Sequence, residues 1–185
     1  MMILIINICK EKLHYFEFVK PIEDIMKTNG IKFRTIGYRN ISLKDLMAAE
    51  KIIITGTSLQ DFGYSEDLVL FKWIRSQKTP ILAICGGMQM LCQVFGCNLI
   101  EGQEIGLIKA KFGKEFLGMD GEREIYALHN LAVKEDSNLT DAFDIFSKTK
   151  YVQAIKHKAK PFYGVLFHPE VRNKEIIENF IINSV

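Results

Sequence analysis

The stretch Pro80–Leu91, P-I-L-A-I-C-G-G-M-Q-M-L, places one cysteine between a strand pattern and a helix pattern. Ile81–Ile84 is a short apolar run, typical of a buried strand, and an amphipathic helix pattern follows it. A turn of this kind directs the side chain of Cys85 out of the sheet edge, beside the positive helix end that favours a thiolate. Gly86 and Gly87 are poor helix formers, so their position indicates a cramped turn that needs residues without a Cβ atom.

The flanking segments predict an α/β fold, because apolar strand patterns alternate with helix patterns along the first half of the chain. We expect a mainly parallel sheet, with short antiparallel strands from residue 98 to 133 covering one edge and a tight turn at Asp120-Gly121. The predicted strands are 2–8, 31–36, 51–55, 81–84, 151–156 and 162–167. The predicted helices are 12–28, 65–77, 86–95, 137–147 and 174–183, with a further short helix after a capping box at Ser42 and Asp45. We expect the first of them to be kinked near Pro21 and the last to be capped by Asn173.

Amino-acid composition predicts a globular protein and argues against nucleic-acid-binding and membrane-spanning classes. The 185 residues are 48% apolar with a net charge of +2, which predicts one globular domain over residues 1–185 and no nucleic-acid-binding surface. No apolar run approaches the roughly 20 residues of a membrane span, and Met2–Ile8 lacks the basic leader of a signal peptide, so a cytoplasmic protein is expected. The four cysteines are then thiols, and the spacing of Cys92 and Cys97 matches no common zinc site.

A second chemical motif, F-H-P-E, follows the last predicted strand at residues 167–170. In an extended backbone, residues i and i+2 project to the same side, so His168 and Glu170 point together. Pro169 favours an extended conformation for His168. Taken alone, this segment is equally compatible with a surface loop. Together with Cys85, it predicts a nucleophile, a base and a carboxylate that orients the base.

The motifs C-G-G-M-Q at 85–89 and Y-G-V-L-F-H-P-E-V at 163–171 resemble those of the class I (triad) glutamine amidotransferases, C-x-G-x-Q and G-V-Q-F-H-P-E. The resemblance implies a flavodoxin-like open sheet with helices on both faces. It also implies that Cys85 attacks the side-chain amide of L-glutamine and forms a γ-glutamyl thioester. His168 would act as base and then acid, and Glu170 would orient it. The resemblance implies no cofactor and no metal.

The same resemblance assigns an oxyanion hole and one substrate contact. The backbone N–H of Gly86 would be one oxyanion donor. The loop after strand 51–55 would supply the other, but this chain has T-G-T-S at 55–58 where relatives commonly have G-G-P. Gly56 matches the first glycine of that motif, and Thr57 replaces the second. Gln89 would hold the substrate.

Two further segments resemble substrate-recognition segments of the family. L-H-N-L-A-V at 128–133 is similar to S-H-x-D-x-V, whose backbone binds the α-amino and α-carboxylate groups of glutamine. His129 and Asn130 are therefore predicted substrate-binding residues, although Leu128 and Asn130 differ from the usual Ser and Asp. Glu104 and Gly106 match an E-x-G segment.

The resemblance implies a partner, since a chain of this size has no room for a synthetase domain and free ammonia would be lost. We expect an ammonia-accepting synthetase subunit, GMP-synthase-like, because residues 154–171 resemble the free-standing glutaminase subunit of archaeal-type GMP synthase. Residues 7–12, N-I-C-K-E-K, differ from the D-x-G-x-Q-Y of that subunit, and its C-x-G-H-Q is here C-G-G-M-Q. Two alternatives stay open: a stand-alone γ-glutamyl hydrolase or peptidase, which the T-G-T-S loop favours, and a non-catalytic regulatory relative.

Overall fold

A computed structural model describes residues 1–182, and these residues form one nine-stranded sheet in the order β2-β1-β3-β4-β9-β8-β7-β5-β6. The pairs within β2, β1, β3, β4 and β9 are parallel, and the remaining pairs are antiparallel. The predicted α/β fold is therefore confirmed. The strands are β1 Met2–Asn7, β2 Lys32–Gly37, β3 Lys51–Ile54, β4 Ile81–Ile84, β5 Leu99–Phe116, β6 Met119–Val133, β7 Phe143–Lys148, β8 Val152–His157 and β9 Phe162–Val165.

Helices cover both faces of this sheet. None of those within residues 1–182 is long and apolar enough to span a membrane. They are α1 Lys12–Phe18, α2 Lys20–Thr28, α3 Leu43–Ala48, α4 Gly63–Glu66, α5 Gly86–Val94, α6 Ser137–Ala142 and α7 Glu175–Ile182, with 3₁₀ segments at Tyr38–Asn40 and Leu68–Ser76.

The core consists of two apolar layers, one on each side of the sheet. Successive residues of a strand point to opposite faces. Leu4 and Ile6 of β1 therefore pack in the layer under α3, α5 and the 3₁₀ segment Leu68–Ser76, while Ile3 and Ile5 pack in the layer under α2 and α7. Because both faces are covered, β1, β3 and β4 are almost entirely apolar and do not alternate.

The parallel register brings four chain segments to one edge of the sheet. Ile6 of β1 pairs with Ile54 of β3, Ile54 pairs with Ala83 of β4, and Ile84 pairs with Val165 of β9. The carboxyl ends of these strands are therefore level. The segments that leave them, beginning near residues 8, 55, 85 and 166, meet at the edge where open α/β sheets bind ligands.

Several predicted helices differ in the structure. The helix over 12–28 breaks at Val19 into α1 and α2, with Pro21 in the first turn of α2, where proline is tolerated. The segment over 65–77 is mostly 3₁₀ helix. The segment 137–147 is helical only to Ala142, and β7 then pairs with β8. The capping box of Ser42 and Asp45 is present. The predicted end of the last helix at residue 183 lies outside the described residues.

The turn between β5 and β6 lies three residues before the predicted one. Leu117 and Gly118 have φ angles of 49° and 87°. A two-residue hairpin turn with both φ angles positive fits the twist of the strands. The prediction of the turn at Asp120-Gly121 was therefore wrong. Gly121 also has a positive φ, but it pairs with Phe112 inside the hairpin.

Candidate active site

Cys85 occupies a strained turn between β4 and α5. Its φ and ψ angles are 47° and −107°, and its N–H donates to the carbonyl oxygen of Val165 at 2.7 Å. A Cβ atom on Gly87 would lie 2.7 Å from the carbonyl oxygen of Ile54, so only glycine allows α5 to start this close to β3. The side chain of Cys85 is 4% exposed, and its sulfur lies 3.6 Å from the carbonyl oxygen of Leu128.

His168 and Glu170 form a buried pair after β9. Nδ1 of His168 lies 2.7 Å from Oε1 of Glu170, and both side chains are fully buried. The N–H of His168 donates to the carbonyl oxygen of Tyr126 in β6, and the ring of Phe18 packs against the imidazole at 5.2 Å. Among residues 1–182, Nε2 of His168 has no hydrogen-bond partner. The ring therefore has one nitrogen held by a carboxylate and the other available for proton transfer.

Charge sets the protonation of this imidazole. Burial on its own lowers the pKa of His168, but the negative charges of Glu170 and Cys85 outweigh burial and raise the pKa well above its ordinary value. The raised pKa favours the imidazolium that forms when the ring takes the proton of the Cys85 thiol. The arrangement can accept a proton from a thiol and hold it until a leaving group needs it.

The side chains of Cys85 and His168 both lie close to Gly56. A Cβ atom on Gly56 would lie 2.8 Å from Cε1 of His168 and 3.3 Å from Cβ of Cys85. The two side chains thus surround one position, which is empty only because residue 56 is glycine. The structure brings together Cys85, His168 and Glu170, the three residues that the sequence predicted to form the triad.

Two residues that line the cavity of Cys85, Gly86 and Thr57, are candidates to supply backbone N–H donors. Gly86 is the first residue of α5, and the first N–H groups of a helix have no partner within it. Thr57 is 3% exposed, and its N–H donates to no protein group within residues 1–182. Gly86 and Thr57 line the same cavity as Cys85. The geometry fits two donors for an oxyanion, the first at Gly86 and the second in the peptide that joins Gly56 to Thr57.

Gln89 lies one helical turn after Cys85, but its amide is bonded to the protein. Its Nε2 donates to the carbonyl oxygen of Leu131 at 2.9 Å, and its Oε1 accepts from the hydroxyl of Tyr64 at 2.5 Å. Gln89 lines the cavity, so these bonds must shift or be shared if its amide is to contact a substrate. Tyr64 was not predicted from sequence, because its contact with Gln89 joins residues far apart in the chain.

His129 and Asn130 both line the cavity, and their side chains bond to protein groups. Nδ1 of His129 lies 2.8 Å from the carbonyl oxygen of Gly102, and Nε2 lies 3.4 Å from Glu104. Burial lowers the pKa of His129, so the neutral ring donates from Nδ1 to Gly102. Nδ2 of Asn130 donates to the carbonyl oxygen of Leu59 at 2.8 Å. These bonds engage Nδ1 of His129 and Nδ2 of Asn130, whereas Nε2 of His129 has no hydrogen-bond partner among residues 1–182.

The cavity over Cys85 is narrow. Its volume is about 10 Å³, which is about the space of one water molecule and far below that of an amino acid. Grooves of about 550 and 620 Å³ flank it. Leu59 borders the first groove and Phe62 the second, and both residues also line the narrow cavity. The loop over residues 57–62 thus separates the thiol from both grooves.

Other titratable clusters give no sign of a metal site. Within the described part of the chain, no group of three or more His, Cys, Asp or Glu residues could hold a metal ion. Cys92 and Cys97 are buried free thiols, and the sulfur of Cys97 lies 3.7 Å from the carbonyl oxygen of Asn138.

Comparison with known proteins gives the family context of these residues. The family model described as glutamine amidotransferase class-I matches residues 14–185. One subunit of a GMP synthase (glutamine-hydrolysing) from Methanocaldococcus jannaschii is 37% identical over 114 residues, which cover 56% of this chain and 59% of the relative. A GMP synthase (glutamine-hydrolysing) from Francisella tularensis subsp. novicida is 31% identical over 154 residues, covering 73% of this chain and 28% of the relative. The chain thus spans less than two thirds of the length of each.

Solved structures share the fold. A putative GMP synthase subunit from Thermoplasma acidophilum superposes with a TM-score of 0.83 at 22% identity, covering 98% of this chain and 92% of the other. A glutamine amidotransferase from Thermotoga maritima gives a TM-score of 0.69 at 18% identity, covering 97% and 80%. At these identities the likeness establishes the architecture, including the flavodoxin-like sheet order at the edge that carries Cys85.

Proposed function

The chain belongs to the class-I glutamine amidotransferase family, and on that premise we propose that it hydrolyses L-glutamine to L-glutamate and ammonia. The observation that carries the proposal is the convergence of Cys85 and the His168–Glu170 pair on the position left open by Gly56. A non-catalytic relative would need neither the strained turn at Cys85 nor a buried imidazole with one free nitrogen.

In the proposed first half-reaction, Cys85 is acylated. Its proton passes to Nε2 of His168, and the sulfur attacks the side-chain carbonyl carbon of glutamine. The N–H groups of Gly86 and Thr57 stabilise the negative charge on the carbonyl oxygen. His168 then gives its proton to the amide nitrogen, the C–N bond breaks, and ammonia leaves a γ-glutamyl thioester on Cys85.

In the second half-reaction, water releases the acyl group. Water gives a proton to Nε2 of His168 while its oxygen attacks the thioester carbon. The C–S bond then breaks, the sulfur recovers the proton, and glutamate dissociates. Glu170 keeps Nδ1 of His168 bonded throughout, so that Nε2 always faces the reacting atoms.

We assign substrate holding to Gln89 and to the backbone of His129 and Asn130, residues that line the cavity together with Cys85. The α-amino and α-carboxylate groups of glutamine would face these residues. The amide nitrogen would then lie towards His168 and Phe18, next to the groove of about 550 Å³ that Phe18 lines.

The proposed destination of the ammonia is a synthetase subunit, of GMP-synthase type, working with a single glutaminase domain at residues 1–185. The similarity to one subunit of a GMP synthase supports this partner. The small volume of the cavity also supports it, since a site too small for glutamine needs an event that widens it, and docking of the acceptor is such an event.

A stand-alone γ-glutamyl hydrolase is the second candidate. The observation that favours it is Thr57 in the loop over residues 55–62, between β3 and α4, which is named the oxyanion loop. The two are separated by assaying the full chain with L-glutamine and with γ-glutamyl-p-nitroanilide. We expect equal amounts of glutamate and ammonia from glutamine, and none from the Cys85→Ala variant. Faster cleavage of the anilide would favour the hydrolase, and ammonia release by Cys85→Ala would refute the mechanism.

A further inference from the structure

The oxyanion loop is held by the turn that follows β1. The carboxylate of Asp61 accepts two hydrogen bonds through Oδ2, from the hydroxyl of Thr57 at 2.8 Å and from the N–H of Lys10 at 2.6 Å. The thiol of Cys9 donates to the carbonyl oxygen of Gly56 at 3.5 Å. These three bonds, called the loop clamp below, fix both sides of the Gly56–Thr57 peptide.

The clamp determines which way that peptide faces. The chain contains no cis peptide bond within residues 1–182, and in a trans peptide the C=O and N–H groups point in opposite directions. The carbonyl of Gly56 points to Cys9, so the N–H of Thr57 points away from Cys9. That N–H has no protein partner among residues 1–182, and Thr57 lines the cavity that holds Cys85.

We propose that Asp61 and Cys9 are positioning residues, which act through the hydroxyl of Thr57 and the carbonyl of Gly56 to hold the second oxyanion donor in place. This inference rests on the proposed glutamine hydrolysis. Neither residue touches the substrate. Their effect is to keep one peptide from turning over, because a reversed peptide would present a carbonyl oxygen to the developing negative charge.

Burial and chemistry both suit the two residues to this task. Asp61 is 6% exposed, and a buried carboxylate makes short, charge-assisted bonds that resist rotation of the peptide. Burial raises the pKa of Cys9 to about 12, so its thiol stays protonated and remains a donor across the neutral and mildly alkaline range. Cys9 is thus suited to bonding a carbonyl rather than to acting as a second nucleophile.

The clamp also connects two places where the chain differs from the family pattern. Thr57 replaces the second glycine of the oxyanion loop, and Cys9 lies where D-x-G-x-Q-Y has its glycine. The two differences meet in space, since Cys9 bonds the peptide that Thr57 completes. The two side chains that stand in place of these glycines, one in the loop and one in the turn after β1, can thus hold the loop in one orientation.

The test compares two pairs of near-isosteric variants by steady-state glutamine hydrolysis. Thr57→Val removes the hydroxyl group and keeps the shape of the side chain, whereas Thr57→Ser keeps the hydroxyl group. Cys9→Ala removes the thiol, whereas Cys9→Ser puts a hydroxyl donor in its place. We expect Thr57→Val to lower kcat by about 10-fold with KM changed less than about 2-fold, because the donor acts mainly on the transition state. Cys9→Ala should change kcat in the same direction, and each Ser variant should recover most of the loss.

The control is Gln60→Ala, an exposed residue of the same loop whose side chain makes no hydrogen bond among residues 1–182. Unchanged kcat in both Thr57→Val and Cys9→Ala, while the parent chain and Gln60→Ala hydrolyse glutamine, would overturn the clamp and leave the proposed function intact. No hydrolysis by the parent chain would overturn both. If Thr57→Val fails to fold by circular dichroism, the Cys9 pair decides alone. Loss confined to KM would also refute a role in positioning an oxyanion donor.

Discussion

At the scale of single residues, the backbone of Cys85 is the main point of strain. A φ of 47° with a ψ of −107° is outside the regions that residues with a Cβ atom normally occupy. Such a conformation costs about 1–3 kcal/mol and persists only where the surrounding structure enforces it. The hydrogen bond to Val165 and the close contact of Gly87 with β3 provide that enforcement.

This strain predicts how two variants of Cys85 differ. Cys85→Ala and Cys85→Gly should both abolish glutamine hydrolysis and keep the fold. The free energy of unfolding of Cys85→Gly should be about 1 kcal/mol higher than that of Cys85→Ala, because glycine adopts a positive φ without a steric cost. Urea unfolding followed by circular dichroism measures the difference. If Cys85→Ala is the more stable of the two, the turn is not strained.

The position left open by Gly56 predicts a variant that affects catalysis more than stability. In Gly56→Ala the new methyl group would lie 2.8 Å from Cε1 of His168 and displace the imidazole. A misplacement of about 1 Å can lower kcat by about 100-fold. The matched control is Gly113→Ala, where a Cβ atom meets nothing within 4 Å. Steady-state kinetics and thermal melting test both, and equal activity in the two variants would contradict the arrangement.

The charge on Glu170 predicts a pH effect. Because that charge raises the pKa of His168, Glu170→Gln should lower the pKa of the imidazolium. The alkaline limb of the kcat/KM profile reports loss of the imidazolium proton, so it should move to lower pH. Some activity should remain, since Glu170 orients His168 without transferring protons, whereas His168→Ala should be inactive. An alkaline limb that moves to higher pH would contradict this assignment.

At the scale of elements, segments determined by residues close in sequence were predicted more completely than segments that contact distant parts of the chain. The unit of β4, Cys85 and α5 was predicted from sequence because an apolar run, a glycine pair and a helix pattern lie within about 15 residues. The segment from 65 to 77 was predicted as one helix, whereas the structure has α4 followed by a 3₁₀ helix at Leu68–Ser76. Phe71 of that 3₁₀ helix stacks on Tyr38, a contact between residues far apart in the chain. The oxyanion loop bonds to Lys10 and Asn130, contacts that no local pattern contains.

The contact between α5 and β3 predicts an element-level effect for Gly87→Ala. The added methyl group would meet the carbonyl oxygens of Ile54 at 2.7 Å and Thr55 at 3.0 Å, and these backbone atoms cannot rotate away as a side chain would. Helix α5 must therefore shift, at a cost of about 1–3 kcal/mol. We expect a lower melting temperature and loss of activity together. Full stability with full activity would show that α5 can move freely against the sheet.

At the scale of the whole molecule, the site is assembled from both parts of the sheet. The parallel strands supply Cys85, His168 and the oxyanion loop at their carboxyl ends, and the antiparallel strand β6 supplies the carbonyl groups of Tyr126 and Leu128. The sequence predicted the first group from motifs. The resemblance at 128–133 pointed to a backbone role for β6, but the contacts of the Tyr126 and Leu128 carbonyl groups with His168 and Cys85 could not be predicted, because a carbonyl group leaves no sequence signal.

The last prediction rests on the small volume of the cavity over Cys85. Nδ2 of Asn130 bonds the carbonyl of Leu59 and so joins β6 to the oxyanion loop over a cavity of about 10 Å³. Glutamine can enter only after this loop moves, so the isolated chain should turn over slowly and accelerate when an acceptor protein docks. Removing the bond should favour the open loop by about 1 kcal/mol, a factor of about 5 in the open population.

Asn130→Ala should therefore raise the kcat/KM of the isolated chain by about 5-fold and reduce the extra stimulation by an acceptor. The matched control is Gln103→Ala, another amide on the neighbouring strand β5, exposed and with a side chain that makes no hydrogen bond among residues 1–182. Glutamate release measured with and without the acceptor separates two roles of Asn130. A rise in basal activity means that its side chain holds the loop closed, whereas a fall with raised KM means that the side chain itself binds glutamine.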